Sequence, residues 1–399
     1  MPRESFTIIG GGIIGLAAGY KLLLANPRAS VAVIEKESEV GRHQSGNNSG
    51  VLHAGLYYKP GSLKARLAVS GIRQMVSFCK ENEIPHEICG KLVVAVKEDE
   101  VPRLKNLMER GQKNGLQGLE WIEAERIKEI EPHAAGLAAV RVPEEGIVDY
   151  PRVCKTLADK IKSLGGEVKT GAEVQSLKRT EKGWHVRTKA GEFVTHKLVN
   201  CAGLHSDRVA TLAGEEPGMR ILPFRGEYYA LRPDRQFLVR NLIYPVPDPA
   251  FPFLGVHFTR LIHGGIEAGP NAMMAFAREG YSKASVNFRD VAEALSFPGL
   301  WKFLSRHAAI CRDEMRRTFS RSFFCAALRR LVPEVNPDDL VPGGAGVRAQ
   351  AVLPDGELAN DFLFITRSGA LHVLNAPSPG ATASLAIGDE IVSMLDSLN

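Results

Sequence analysis

The chain has 399 residues, 44% of them hydrophobic, with 50 Lys plus Arg against 45 Asp plus Glu and a formal net charge of +5. That length supports two or three structural units with a sizeable core, and the composition excludes disorder, collagen or coiled coil as the main character. The mild positive balance is no nucleic-acid signature, and six cysteines with no CxxC pair argue for reduced thiols, no disulfide scaffold and no metal site.

The first elements are read from glycine placement. An apolar run at 5–10 breaks into Gly10-Gly11-Gly12-Ile13-Ile14-Gly15 and resumes as a helical pattern to Leu23, which Asn26-Pro27 stops. A second buried strand at 30–35 completes a βαβ unit. A glycine-rich, helix-poor stretch runs from Gly41 to Gly61, followed by an amphipathic helix at 63–82, a strand at 91–98 and a charged helix at 99–114. The chain returns at Gly146 to Tyr150, continues as a helix to Ser163, strands at 167–178 and 184–189, and a core strand at 198–203 that ends in a glycine turn. Proline- and aromatic-rich segments with a basic helical stretch occupy 221–340. Strands at 362–366 and 371–374 and a helix from about 380 restore the early texture. The expected division is a discontinuous nucleotide-binding domain of residues 1–85, 141–220 and 341–399, with a substrate-binding domain of 86–140 and 221–340.

Gly10-x-Gly12-x-x-Gly15 is weak alone, but it follows a strand, opens a helix and has Glu35 twenty residues after Gly15. The glycines permit the tight turn, approach of a pyrophosphate and close helix–strand packing, while the helix start at Ile13 and Ile14 offers N–H groups to phosphate. Glu35, followed by Lys36, suits an adenosine ribose. Two features favour FAD over NAD. Small residues Ser45, Asn48, Ser49, Gly50 and Val51 suit backbone packed on an extended cofactor. Pro379-Gly380-Ala381-Thr382 leads into a helix whose N–H groups suit the flavin N1 and C2 carbonyl. Val174, the turn at Ala202-Gly203, and Gly346 with Arg348 complete the expected cofactor contacts.

Several stretches together resemble the FAD-dependent D-amino-acid-oxidase-like superfamily, and within it the L-2-hydroxyglutarate oxidase or dehydrogenase branch. They are Gly46-Asn47-Asn48-Ser49-Gly50-Val51-Leu52-His53-Ala54-Gly55-Leu56-Tyr57-Tyr58, Ser62-Leu63-Lys64-Ala65, Pro252-Phe253-Leu254-Gly255-Val256-His257-Phe258-Thr259, Gly269-Pro270-Asn271-Ala272, Gly346-Val347-Arg348-Ala349-Gln350 and Pro379-Gly380-Ala381-Thr382. The resemblance implies an α/β fold with a Rossmann-like FAD-binding domain and an inserted substrate domain built on a mixed or antiparallel sheet. It also implies oxidation of L-2-hydroxyglutarate to 2-oxoglutarate, with electrons passed from the reduced flavin to a quinone chain or to oxygen.

Hydride loss from a secondary alcohol needs a base for the hydroxyl proton, and histidine is poised near neutral pH. His53 and His257 are both candidates, with His53 preferred as base and His257 orienting the substrate. A dicarboxylate calls for cations. Arg348 resembles the superfamily's Gly-x-Arg carboxylate clamp; Arg225, Arg260 and Lys64 are candidates for the second carboxylate, with Tyr57 or Tyr229 as hydroxyl donors. Sister reactions on an amino acid, an N-methyl amine or glycerol 3-phosphate, or a non-catalytic FAD-binding role, are the alternatives.

Residues 302–330 are rich in Lys and Arg and edged by aromatics, a pattern for an anionic membrane surface beside a quinone or for a helical lid. No window approaches the roughly 18 apolar residues of a spanning helix, and the first residues lack the order of a secretory signal. A cytoplasmic protein, at most peripheral on the inner face of the cell membrane, is expected. The sequence carries no signal for oligomeric state.

Overall fold

The computed structural model describes residues 4–248 and 255–397; Pro252, Phe253 and Leu254, quoted above, lie outside the described residues. The glycine turn joins β1 (Ser5–Ile9) to helix α1 (Ile13–Ala25), which returns to β2 (Ser30–Ile34) parallel to β1. β1 also pairs in parallel with Lys197–Asn200, and the sheet extends to six strands through Glu167–Lys169 on one side and Ala370–Asn375 and Leu363–Arg367 on the other. Both its faces are covered, as the apolar runs of its strands demand. On one side α1 packs against helices Tyr150–Ser163 and Ser384–Asp396. On the other, Ile9, Ile34 and Leu198 meet Leu177, Trp184 and Val186 of a three-stranded antiparallel sheet.

A larger sheet holds Leu242–Pro245, His257–Arg260, Ile266–Gly269, Arg220–Leu231 and Met273–Met274 beside Lys91–Ala95, Ala138–Val142 and Glu120–Glu123. It is antiparallel except where Leu242–Pro245 runs parallel to Lys91–Ala95. Helices Pro298–Arg306 and Arg321–Leu328 pack Phe303 against Phe224 and Phe324 against Tyr229 of this sheet. The α/β fold with a Rossmann-like sheet and a second, mostly antiparallel sheet is the one the sequence implied.

Two boundaries are corrected. Residues 341–352, assigned above to the nucleotide domain, form most of the strand Leu340–Val352, which pairs along Arg220–Leu231 from Leu231↔Leu340 to Arg220↔Val352 and so belongs to the large sheet. Such pairing is set by register over a long sequence separation, which local texture does not encode. The C-terminal helix begins at Ser384, not near 380. Residues 377–383 are turns closed by Gly380 N–H to Pro377 O (2.8 Å) and Ala383 N–H to Pro379 O (2.9 Å).

Candidate active site

The loop after β1 is shaped by contacts that only glycine allows. Gly10 has φ +111°, and a Cβ there would lie 2.4 Å from the Cys201 carbonyl oxygen. A Cβ on Gly15 would lie 2.0 Å from the Gly10 oxygen, so Gly15 sets how closely α1 approaches β1. α1 starts at Gly12 with no side-chain cap and no acidic residue in its first turn. Ile13 N–H donates to Ser45 Oγ (2.9 Å), tying the 41–50 loop to the helix start. Glu35 is buried, its Oε2 accepting Gly11 N–H (2.7 Å) and its Oε1 accepting Glu37 N–H (2.9 Å), with lone pairs to spare for a ribose.

These groups line one continuous cavity of about 1410 Å³, beyond the roughly 300–1000 Å³ of a pocket for a drug-sized ligand. Of the expected cofactor contacts, Gly10, Gly12, Ile13, Ile14, Glu35, Lys36, Ser45, Asn48, Ser49, Val51, Val174, Ala202, Gly203, Gly346, Arg348, Pro379, Gly380, Ala381 and Thr382 all line it. Gly15 and Gly50 do not: Gly15 packs helix on strand, and Gly50, at φ +66°, turns the chain below Val148 O. An uncapped helix start, a loop that excludes side chains and a buried carboxylate one strand away fit the phosphates and ribose of FAD. Lys36 is paired with Glu279 (2.6 Å) and Glu37, and its ammonium sits inside the grouping Glu37, His43 and Glu279, the one set of metal-ligand spacing among the described residues.

At the other end of the cavity the wall is aromatic and cationic. His53 N–H donates to Thr382 Oγ1 (3.2 Å), which lies 2.7 Å from the Tyr150 hydroxyl. The His53 ring lines the cavity, and its Nδ1 lies 3.7 Å from Glu145 Oε2. His257 stacks on Tyr244 at 3.8 Å between ring centres and donates from Nδ1 to Gly255 O (2.8 Å), which leaves its Nε2 as an acceptor. Burial pushes the His257 imidazole down to about 3, the Gly255 carbonyl opposing and the cations Arg348 and Lys91 adding to the fall. It is therefore a neutral acceptor at any working pH.

Arg348, whose charge acts on His257, and Lys64, whose ammonium lies 4.7 Å from the Tyr58 ring centre, also line the cavity. Burial brings the Lys64 ammonium down to about 8, with the Asp361 carboxylate opposing. Tyr57 lines the cavity too, while its hydroxyl is shut off from solvent and has no hydrogen-bond partner among the described residues. Burial raises its pKa well above the ordinary tyrosine value, so it stays a donor.

Three residues expected to hold substrate lie elsewhere. Arg225 is buried on the far side of its strand, where Nε meets Glu227 (3.1 Å) and Nη1 donates to Ser282 O (2.9 Å). Tyr229 packs on Phe324 with ring centres 4.9 Å apart. Arg260 pairs with Glu87 (2.5 Å) away from the cavity. The reason for the first two is strand parity: Gly226 and Tyr228 line the cavity, so their neighbours point the other way. Sequence reading missed Tyr228, Tyr244, Lys91 and Glu145. A lysine opening the apolar run Lys91–Ala95 was a usable signal; nothing local distinguishes the other three.

The glycine cradle, the buried ribose-side carboxylate and the histidine wall define a flavin-dependent oxidoreductase. Residues 5–394 match the family model described as FAD dependent oxidoreductase, and the chain belongs to that family. Over 385 residues it is 51% identical to the L-2-hydroxyglutarate dehydrogenase of Indibacter alkaliphilus, covering 96% of each chain. It is 45% identical over 394 residues to the L-2-hydroxyglutarate dehydrogenase of Escherichia coli K12, covering 98% of this chain and 93% of that one. Among solved structures, FAD-bound L-alpha-glycerophosphate oxidase from Mycoplasma pneumoniae superposes with a TM-score of 0.79 at 22% identity, over 99% of this chain and 95% of that one. Glycine oxidase from Geobacillus kaustophilus gives 0.74 at 19% identity, over 99% and 95%. These two speak to the fold alone.

Proposed function

We propose that this protein oxidises L-2-hydroxyglutarate to 2-oxoglutarate with FAD as the hydride acceptor. The observation that carries this reading is that His53 and His257 share one FAD-sized cavity with the cations Arg348 and Lys64. A dianion with a hydroxyl on its reacting carbon matches that set, whereas an amine substrate would ask for an acidic partner. The names of the full-length relatives supply the hydroxy acid and its handedness.

In this reading Arg348 and Lys64 hold the two carboxylates, the planar fork of Arg348 suiting a bidentate contact. His257, neutral and fixed through Nδ1, accepts a hydrogen bond at Nε2 and orients the alcohol. His53 takes the hydroxyl proton, because His257 is pushed too low to retain one. Bound FAD supplies the hydride acceptor. We divide the chain into an FAD-binding unit around the six-stranded sheet and a substrate-binding unit around the larger one, with the reacting end of the cavity between them. Purified enzyme with an artificial electron acceptor tests the reading: 2-oxoglutarate forms from the L acid and not the D acid, and turnover of glycine, sarcosine or glycerol 3-phosphate in its place refutes it.

We also place electron delivery at a membrane quinone, with oxygen as the other acceptor. No helix among the described residues is long and apolar enough to cross a membrane. The support is an exposed set, Phe288 (86% exposed), Phe319 (72%) and Trp301 (54%), on helices that carry Arg312, Arg316 and Lys302. The protein is then cytoplasmic and peripheral. Co-sedimentation with anionic but not zwitterionic vesicles supports this, and no sedimentation with either refutes it.

A further inference from the structure

Behind the wall that carries His53 lies an ion pair that does not line the cavity. Lys91 Nζ and Glu145 Oε2 are 2.5 Å apart with both side chains wholly buried. The ammonium sits over the rings of Tyr57 (4.6 Å) and Tyr244 (4.8 Å), two cavity-lining residues. Isolated buried ion pairs add little net stability, since desolvation offsets their attraction. A role other than stability is therefore worth seeking, and the geometry points to His53. Glu145 Oε1 accepts the N–H of Ala54, the next residue (3.0 Å), while Oε2 faces His53 Nδ1 at 3.7 Å.

We propose that the buried Lys91–Glu145 pair is the positioning device for His53: Glu145 keeps a proton on Nδ1 and turns Nε2 to the substrate, while Lys91 keeps Glu145 ionised and limits the reach of its charge. This rests on the reading above that His53 is the base. In that step the substrate O–H bond breaks and its proton joins Nε2. The C–H bond leaves with its electron pair as hydride to FAD, and a C=O bond forms. The imidazolium then rests against the Glu145 carboxylate. Burial alone would raise the Glu145 carboxyl, but Lys91 and His53 outweigh it and bring it to about 2, so it does not take the proton itself. Burial lowers the Lys91 ammonium, and Glu145 opposes that fall. The other groups around the ring are Tyr57 and Tyr58 from its own loop, Tyr244 from Leu242–Pro245, His257 from the next strand and Arg348 from Leu340–Val352. Glu145 is the acidic member of this set.

The test uses the full FAD-loaded chain, with pH profiles of kcat and kcat/KM for Glu145→Gln and Lys91→Met. Glu145→Gln is expected to lower kcat on the order of 100-fold with KM little changed, since the residue touches no substrate. Its acid limb moves to lower pH by about one unit, because the anion that favours the imidazolium is gone. Lys91→Met moves the same limb to lower pH as well, because without the ammonium burial keeps Glu145 protonated and its charge is lost. If Lys91→Met fails to load FAD, Glu145→Asp replaces it, and it keeps the wild-type limb with part of the lost kcat restored. FAD-loaded Glu145→Gln with an unmoved limb, or Lys91→Met shifting the limb to higher pH, overturns the proposal. His53→Asn separates the two claims: wild-type kcat in that variant overturns the base assignment and the positioning role with it. A collapsed kcat there, beside an unmoved limb in Glu145→Gln, overturns the positioning role alone.

Discussion

Replacing Lys64 by methionine removes one of the two cations assigned to the substrate and leaves the cavity otherwise shaped as before. The ammonium is held only loosely, 3.4 Å from Asn360 O and 4.7 Å from the Tyr58 ring centre. The Asp361 carboxylate is taken up by the backbone N–H groups of Leu63 (3.2 Å) and Lys64 (2.8 Å). No strong ion pair therefore has to break when a substrate carboxylate arrives. A charge-assisted hydrogen bond of about 1.5–3 kcal/mol corresponds to roughly 10- to 150-fold in kcat/KM, which is the loss expected for Lys64→Met. The pH dependence carries the same information. Lys64 titrates at about 8 in the free enzyme, so below that pH it is a cation that binds the dianion and above it the attraction is lost. Wild-type kcat/KM is expected to fall to a lower plateau as the pH rises through about 8, while kcat, which reports the complex, should lack that limb because the bound carboxylate keeps the ammonium charged. Steady-state kinetics across pH on wild type and Lys64→Met decide it. A limb that persists in the methionine variant, or a variant as efficient as wild type at neutral pH, refutes the reasoning.

Gly12→Ala separates fold from cofactor binding. Gly12 has an ordinary φ of −74°, and an added Cβ would meet only Ser45 Oγ at 3.4 Å, so the apoprotein should gain about 0.4–1 kcal/mol while the methyl blocks the pyrophosphate. The flavin-to-protein ratio and a denaturant melt of the apoprotein test this. Thr382→Val leaves the His53 N–H without its acceptor, while the Tyr150 hydroxyl keeps the Val51 carbonyl (3.1 Å), costing about 1–3 kcal/mol; kcat should fall with stability in denaturant titrations. Arg260→Ala should change stability by no more than about 1 kcal/mol and leave kcat/KM unchanged, since the Arg260–Glu87 pair lies outside the cavity.

What the sequence made legible follows the range of the physics. The turn Gly10 to Gly15 and its strand–helix–strand context are local, and the helix written as 63–82 is found as Leu63–Glu81 because its period of apolar positions is also local. Strand pairing is not, which is why the pairing of Leu340–Val352 along Arg220–Leu231 was not legible. Tyr229, a candidate hydroxyl donor, neighbours the cavity-lining Tyr228: a strand shows which residues alternate, and only its partners show which face is the cavity. Arg225 looked like an anchor by charge, yet its Nε is bound to Glu227 and its Nη1 to two carbonyls outside the cavity. Lys91 and Glu145, 54 residues apart in number, meet only after their segments are brought together, so no spacing announces them.

The central claim is that this cavity passes a hydride from the L-hydroxy diacid to bound FAD. The most direct measurement is the visible spectrum of the purified protein without oxygen, titrated with L-2-hydroxyglutarate and, separately, with the D enantiomer, glycine and glycerol 3-phosphate. The flavin bands are expected to bleach with one equivalent of the L acid and to persist with the others, with 2-oxoglutarate recovered in equal amount. Bands that persist with the L acid, or that bleach with glycine or glycerol 3-phosphate instead, contradict it.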